Sequence, residues 1–433
     1  MMMHKKLTML ISASVLCGAL VAGSPAASAQ DVNYNLPSPE VVEQRKASRS
    51  NRTVSERFGR RIMEAFELYS EEEDILGAIA VLEELSPRDE YDKAYVDRFL
   101  GNLYAANNQI EAAMQRTSAA AEANVLGWND QAAALKLAAD ISLQLENYRD
   151  ALKYYDRWLQ FTGDPDPDVF LRIANAFYEL KQFDKIIRPA DLAIQHYEET
   201  NKNPYVLKIA SYYERKMYSD AIDVLETGLE QLPTESVWWS QLGMMYMLEE
   251  KIDKALQTLE VAYLAGYLDK ESQIKAVIQL YGNNGIPYDA ARLMVKHLEA
   301  GDVEKTARHY YSAASNYEMA REYALAADMY EFAAQLEDNV STRADYYRRK
   351  GTAHLRAEEY QQAADAYLKA IDLGYEEPGK IYMSLTEAYF YQNKFSQALK
   401  YVLEAQEYSD QRRNARSWES YIRSKASNLG ISL

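Results

Sequence analysis

Four histidines are the residues of this sequence that first suggest metal chemistry. The histidines after residue 29 are His196, His297, His309 and His354. A zinc protease needs two histidines one helical turn apart with a glutamate beside the first, and the sequence HExxH does not occur. We therefore expect these histidines to be packing or surface residues, and we predict no metal site from them.

Three alternating aspartates resemble the start of a calcium-binding loop. Asp164, Asp166 and Asp168 have the right spacing, but prolines separate them. Val169 stands where such a loop requires glycine, and Asn175 stands where it requires a bidentate glutamate. The pattern therefore favours a turn followed by a helix cap.

Other catalytic patterns are missing from the sequence. No glycine-rich phosphate-binding motif occurs, and no nucleophile is paired with a base at a known spacing. The only cysteine is Cys17, which falls in the predicted leader described below. We predict that the protein is not an enzyme and carries no cofactor.

The charge balance excludes one class of partner. The 433 residues include 48 basic and 65 acidic side chains, for a net charge of −17. Such a chain repels nucleic acid, whose phosphates require basic surfaces. At 48% hydrophobic residues it is also too apolar to be disordered.

The first 29 residues have the features of a secretory leader. Lys5 and Lys6 precede an apolar run over residues 7–22, and Ala27-Ser28-Ala29 supplies small residues for cleavage. This resembles the signal peptide of a Gram-negative bacterium, so we expect cleavage after Ala29 and a periplasmic product. No later stretch is apolar for long enough to span a membrane.

The segment after the leader differs from the rest of the chain. Residues 30–58 are polar, and we predict them to be flexible. Residues 45–61 hold seven basic residues and one acidic residue. This basic arm is suited to peripheral contact with anionic lipid heads or to an acidic partner. The alternative is an arm that neutralises the chain's own acidic surface.

A repeat of about 35 residues covers most of the remaining chain. It is marked by a small or apolar residue, the anchor, near the start of a helix. From the first anchor to the tenth there are 320 residues over nine intervals, or about 35.6 each. The anchors are Ala78, Ala113, Ala151, Ile186, Ala221, Ala255, Ala291, Ala326, Ala363 and Ala398.

Each repeat shows the periodicity of two amphipathic helices. In the sixth, Gly243 and Ala255 are small where two helix backbones must approach closely. This order resembles the tetratricopeptide repeat, a helix-turn-helix unit. The resemblance implies an all-α superhelical solenoid of about ten repeats over residues 59–408. We expect residues 409–433 to form a capping helix and tail, with Trp418 and Tyr421 packed inward.

Several blocks resemble one group of tetratricopeptide proteins more specifically. The group comprises periplasmic proteins encoded beside TonB, ExbB and ExbD-type components. The resemblance implies a non-catalytic accessory that helps to power outer-membrane uptake of iron complexes or similar nutrients. The alternative is a periplasmic scaffold for envelope assembly or cell division. The blocks are residues 65–85, 89–106, 166–194, 203–226, 238–250, 268–275 and 283–294.

Residues at the second, fifth, ninth and twelfth positions of the repeat unit, counted along its first helix, are expected to face an inner groove. Polar groups there suit the backbone of an extended protein segment, and Tyr and Met suit its side chains. The alternative is that they are ordinary solvent-facing residues. The predicted groove residues are Arg98, Asn102, Asn175, Tyr178, Tyr213, Met244 and Met247.

Overall fold

The computed structural model describes residues 31–49, 52–71 and 73–433. Within these ranges the chain forms 22 α-helices and no strand. The predicted leader lies outside the described residues. Because the helices pair in antiparallel succession at the predicted spacing, the chain has an all-α, tetratricopeptide-type solenoid fold of ten helix pairs.

The ten pairs run from α2 to α21, preceded by α1 (Pro39–Ser48) and followed by α22 (Arg412–Asn428). The first helices are α2 (Glu56–Ser70), α4 (Glu90–Ala106), α6 (Trp128–Gln144), α8 (Pro167–Glu179), α10 (Lys202–Glu214), α12 (Ser236–Leu248), α14 (Glu271–Asn283), α16 (Ala307–Met319), α18 (Val340–Arg356) and α20 (Pro378–Tyr391). The second helices are α3 (Ile75–Glu83), α5 (Ile110–Ala123), α7 (Tyr148–Thr162), α9 (Ile187–His196), α11 (Tyr218–Gln231), α13 (Ile252–Leu264), α15 (Pro287–Ala300), α17 (Tyr323–Leu336), α19 (Tyr360–Asp372) and α21 (Phe395–Gln406).

The anchors occupy the closest contacts between helices. All ten have a relative exposure of 0%. The predicted tight approach in the sixth repeat is also present. A Cβ added to Gly243 would lie 2.4 Å from Leu259 Cγ on α13. A small residue on one helix therefore lets its backbone lie directly against a side chain of the other helix of the pair.

A left-handed residue turns the chain between the two helices of every repeat. It lies five positions before the anchor in nine repeats, and all nine residues carry a side chain. The seventh repeat has one extra residue and uses Gly285 at a φ of 76°. Left-handed backbone costs energy for any residue with a Cβ, so the turn is fixed by the packing of its two helices. The nine residues are Glu73, Asn108, Glu146, Lys181, Lys216, Glu250, Arg321, Glu358 and Asn393.

The fourth repeat departs from the others at its second helix. The sequence predicts a kink at Pro189, which lacks a backbone N–H. The structure instead starts this element as a 3₁₀ turn at Phe183–Ile186 and continues it as α9. Pro189 then lies in the first turn of α9, where its missing N–H has no intrahelical acceptor to lose.

The described residues form two compact units, one up to residue 207 and one of residues 208–433, with the boundary inside α10. Unit 1 has a core rich in Tyr and Phe, including Tyr155, Phe170 and Phe177. Unit 2 has a core centred on residues such as Tyr367 and Phe395. The sequence contains 35 tyrosines against 10 phenylalanines, and packing in these cores partly explains this excess.

Residues 31–49, which belong to the segment 30–58 that the sequence predicts to be flexible, contact the helices of unit 1 in the structure. We call these residues the strap. Residues 31–38 have no regular secondary structure, and α1 follows them. Both segments of the strap contact helices of unit 1. Val32 is 8% exposed and belongs to the core of that unit. Gly163 at the end of α7 approaches the strap so closely that an added Cβ would lie 2.7 Å from Val42.

The capping helix is present as α22, and its buried residues are Ala415, Ile422 and Ala426. Trp418 packs against the core of unit 2 as predicted, with its ring 5.5 Å from that of Phe390. Tyr421 departs from the prediction, because it is 54% exposed although its ring lies 5.1 Å from that of Phe390. The fully buried residues of α22 are small or aliphatic, which allows the helix to lie close to α21.

Candidate functional site

The structure divides the predicted groove residues between the two units. In unit 1, Arg98 and Asn102 lie on α4, and Asn175 and Tyr178 lie on α8. Asn102 is exposed, and Asn175 and Tyr178 are half-buried. The ring of Tyr178 packs edge-on against Phe183, 5.8 Å away. The helix α6 lies between α4 and α8 in the chain, and its side chains link the two.

Arg98 is already bound within unit 1. Its Nη2 donates to Asp130 Oδ1 on α6 at 2.9 Å. Its guanidinium also lies over the ring of Tyr95, 5.4 Å from the centroid. A cation paired with a carboxylate and a ring has little capacity left for a partner. The structure therefore favours a stabilising role for Arg98 between α4 and α6.

Two further ion pairs continue this row to α8. Lys136 on α6 donates to Asp166, whose side chain also accepts from the backbone N–H groups of Asp168 and Val169. Burial works to raise the pKa of Asp166, but the Lys136 ammonium and these N–H groups outweigh it and hold the pKa below its usual value. The predicted helix cap at Asp166 is therefore present, and it also joins adjacent repeats.

The second pair involves Asp140 on α6. Its carboxylate accepts from Arg172 on α8 and from the hydroxyl of Tyr155 on α7. Burial is the main cause that raises the pKa of Tyr155, so its hydroxyl remains a donor over the physiological range. The first-helix face of unit 1 thus carries a row of ion pairs, in which Arg98 Nε is buried without a hydrogen-bond partner among the described residues.

Unit 2 presents a different surface on its early first helices. Tyr213 on α10 is 44% exposed, and its ring lies 6.2 Å from that of Tyr218. On α12, Val237, Met244 and Leu248 are 58%, 39% and 44% exposed. Residues spaced by seven and four positions share one side of a helix. We call these three residues the α12 stripe.

Met247 is half-buried beside the α12 stripe. The predicted Met244 is therefore an exposed apolar residue, and Val237 and Leu248 extend the surface that it forms. Sequence reasoning missed Val237, although it stands at the second helix position used for the prediction. Leu248 stands one place beyond the twelfth position and was outside that rule.

Sequence reasoning also missed a charged and aromatic cluster on later first helices. Asp345 on α18 accepts from Arg348 Nε at 2.8 Å and from Arg349 Nε at 2.7 Å. Arg349 lies 5.3 Å from the ring of Tyr311, which stacks on Tyr346. The same helix positions that were counted in the second to sixth repeats would have identified Asp345, Arg348 and Tyr311.

The basic arm is largely folded against unit 1 where it is described. Arg45 donates to the carbonyl oxygens of Gln160 and Phe161. Arg49 donates to Asn124 and Leu126 at the turn before α6. Arg52 forms a 2.7 Å ion pair with Asp89. These contacts favour the alternative in which the basic arm binds its own chain. Contact of the arm with a membrane stays a prediction.

Among the residues that the structure describes, no three His, Cys, Asp or Glu side chains come together as metal ligands. No helix in the described ranges combines the length and apolar character needed to cross a membrane.

Comparisons with known proteins give fold-level likeness alone. No family model matches the chain, and no curated protein matches it. A tetratricopeptide repeat protein from Parabacteroides merdae is 12% identical with a TM-score of 0.35, over 68% of this chain and 99% of the other.

Two further solved structures give similar values. Naa15/Naa10 bound to HypK-THB is 13% identical with a TM-score of 0.48, over 86% of this chain, which spans 62% of that one. The C-terminal part of a TPR repeat-containing protein from Cytophaga hutchinsonii is 16% identical with a TM-score of 0.36, over 55% and 94%. The assignment of the fold therefore rests on the helix pairs and anchors of this chain.

Proposed function

We propose that the protein is a non-catalytic scaffold that holds a partner polypeptide against the first-helix face of unit 2. The observation that carries this proposal is the α12 stripe, where three apolar side chains stay exposed on one side of a helix whose other side is packed. Apolar side chains that gather on one exposed face of a helix are costly in water and are typical of interaction sites. Tyr213 adds an exposed aromatic group, a type that often dominates binding energy.

The cellular setting of this scaffold is the finer part of the proposal. The predicted leader supports export to the periplasm. The resemblance of the sequence blocks to proteins encoded beside TonB, ExbB and ExbD supports an accessory role in energised nutrient uptake. The alternative role is in envelope assembly or cell division. The α12 stripe is compatible with either role.

A matched pair of variants tests both the binding of a partner at the α12 stripe and the proposed role in nutrient uptake. The first carries Val237→Ser, Met244→Ser and Leu248→Ser. The control carries Val261→Ser and Leu264→Ser on α13, which are 49% and 77% exposed on the second helix of the same repeat. We expect both to keep the helicity and melting temperature of the wild type.

The measurement is growth on a nutrient that requires TonB-dependent uptake, with crosslinking of intact envelopes. We expect slow growth and lost crosslinks for the stripe variant alone. Lost crosslinks with full growth would keep the scaffold and reject the uptake role. Crosslinks unchanged in the stripe variant would reject the proposed surface.

A further inference from the structure

The strap presents alternate side chains to unit 1, as an extended peptide does. Val32 is buried in the core of the unit, and Tyr34 and Leu36 pack against the same core. Asn33 and Asn35, between them, are exposed. Successive side chains of an extended chain point to opposite sides, so one face of residues 32–36 is bound and the other is free.

Two side chains of α7 hold the main chain of the strap. Asp156 Oδ1 accepts from the backbone N–H of Asn33 at 2.8 Å. Gln160 Nε2 donates to the backbone oxygen of the same residue at 2.7 Å. Asp156 and Gln160 are one helical turn apart and share a face of α7. Because both hydrogen bonds are to backbone atoms, the same two side chains would hold any extended peptide in this register.

The side-chain pockets then decide which peptide fits best. The ring of Tyr34 lies 6.4 Å from that of Phe170 on α8. Its hydroxyl is buried and has no hydrogen-bond partner among the described residues. Burial also raises the pKa of Tyr34, so the hydroxyl keeps its unsatisfied proton. An unpaired buried donor weakens binding, so a phenylalanine would suit this pocket better.

The rest of the strap is held more lightly than residues 32–36. The helix α1 buries none of its residues. Its hold on unit 1 comes from Arg45 and Arg49, which donate to carbonyl oxygens and lie over the ring of Phe161. Release of α1 would therefore unpack no buried side chain of that helix, whereas release of residues 32–36 exposes Val32, Tyr34 and Leu36 and their seat.

We propose that the strap seat, the surface of Asp156, Gln160 and Phe170 that contacts residues 32–36, is a second peptide-binding site of the protein. Its ligand class is an extended partner segment with the pattern aliphatic-x-Phe-x-Leu. The strap occupies the seat in cis with a less suitable tyrosine, and the partner segment displaces it. The site belongs to unit 1 and is independent of the α12 stripe.

The test uses the full chain with a weakened strap, Val32→Ser and Leu36→Ser. Two fluorescent peptides are titrated by anisotropy, one with the sequence of residues 31–37 and one with phenylalanine in place of Tyr34. We expect saturable binding of both, with the phenylalanine peptide about tenfold tighter. Binding to the wild-type chain should be at least about tenfold weaker, because the strap competes.

Adding Asp156→Ala and Gln160→Ala to the weakened chain should abolish binding while its circular dichroism stays unchanged. If the weakened strap prevents folding, a protease site inserted between residues 49 and 52 lets the wild-type strap dissociate after folding. Absence of binding to a folded chain from either route would overturn the proposal. A concentration-dependent dimer of the wild type, lost with Asp156→Ala, would make a second copy the occupant and reject the partner.

Discussion

The backbone N–H of Asn33 donates to Asp156 Oδ1 at 2.8 Å, although the two residues are 123 positions apart. This contact ties the segment after the predicted leader to the third helix pair. It turns an apparently flexible polar segment into part of unit 1. The strap should therefore contribute to the stability of unit 1, and the first prediction tests this.

Gly163→Ala should destabilise the protein more than Gly301→Ala. Both glycines end second helices in left-handed backbone, at φ values of 66° and 86°, so both changes carry a similar strain of about 1–2 kcal/mol. Only at Gly163 does the new Cβ meet the strap, at 2.7 Å from Val42, and Gly301 has open space. Thermal unfolding and proteolysis of the strap measure the difference. Equal losses, with an intact strap, would show that the strap adds no stability.

Gly243→Ala and Gly59→Ala should have opposite effects. Both sites are helical, so alanine gains about 0.8–1 kcal/mol of helix propensity at each. At Gly243 the added carbon overlaps Leu259, and overpacking of a core costs about 1–3 kcal/mol. At Gly59 nothing lies within 4 Å. Denaturant unfolding should show net destabilisation for the first and stabilisation for the second. A gain at both positions would contradict the close helix approach.

Asp345→Asn and Glu387→Gln should change stability with opposite dependence on pH. Burial works to raise the pKa of Asp345, but Arg349 and Arg348 outweigh it and lower that pKa. Its stabilisation is present above the unfolded pKa of about 4 and is lost as pH falls through the folded value. Burial raises the pKa of Glu387, so its ionised form destabilises the folded state at neutral pH.

We therefore expect Asp345→Asn to lower the melting temperature at pH 7, with a smaller difference at pH 3. Glu387→Gln should raise the melting temperature at pH 7, and this gain should also vanish at pH 3. Melting curves between pH 3 and pH 7 measure both. Parallel curves for wild type and Asp345→Asn would contradict the ion pairing.

Arg98→Ala should affect stability rather than partner binding. Its ion pair with Asp130 is partly buried, and such a pair contributes about 0.5–1 kcal/mol. A double-mutant cycle with Asp130→Asn should give a coupling energy of that size. Envelope crosslinks should remain. Loss of the crosslinks, together with no measurable coupling energy between Arg98 and Asp130, would indicate that Arg98 binds the partner.

The repeat could be predicted from the sequence because it depends on small residues at fixed spacing. Ala78 and Ala398 bury fully for the same reason, close helix contact, so the pattern survives across 320 residues. The turns could not be predicted from composition. Glu358 and Lys216 adopt left-handed backbone because the helices on either side require it.

The candidate site was predictable only in part. Met244, which was selected by its position in the repeat, is 39% exposed in the structure. The same rule selected Arg98, whose partner Asp130 lies in the next repeat and cannot be assigned from position alone. The strap escaped prediction because Val32, Tyr34 and Leu36 form a short alternation beside prolines, and the helix that receives them is more than 100 residues away.

Site-specific photocrosslinking at α12 tests the central claim most directly. A photoreactive residue would replace Met244 in one chain and Leu264, on the second helix of the same repeat, in another. The proposed scaffold predicts a discrete protein adduct from position 244, removed by Val237→Ser with Leu248→Ser, and none from position 264. An adduct confined to position 264, or adducts of equal yield at both, would contradict binding at the first-helix face.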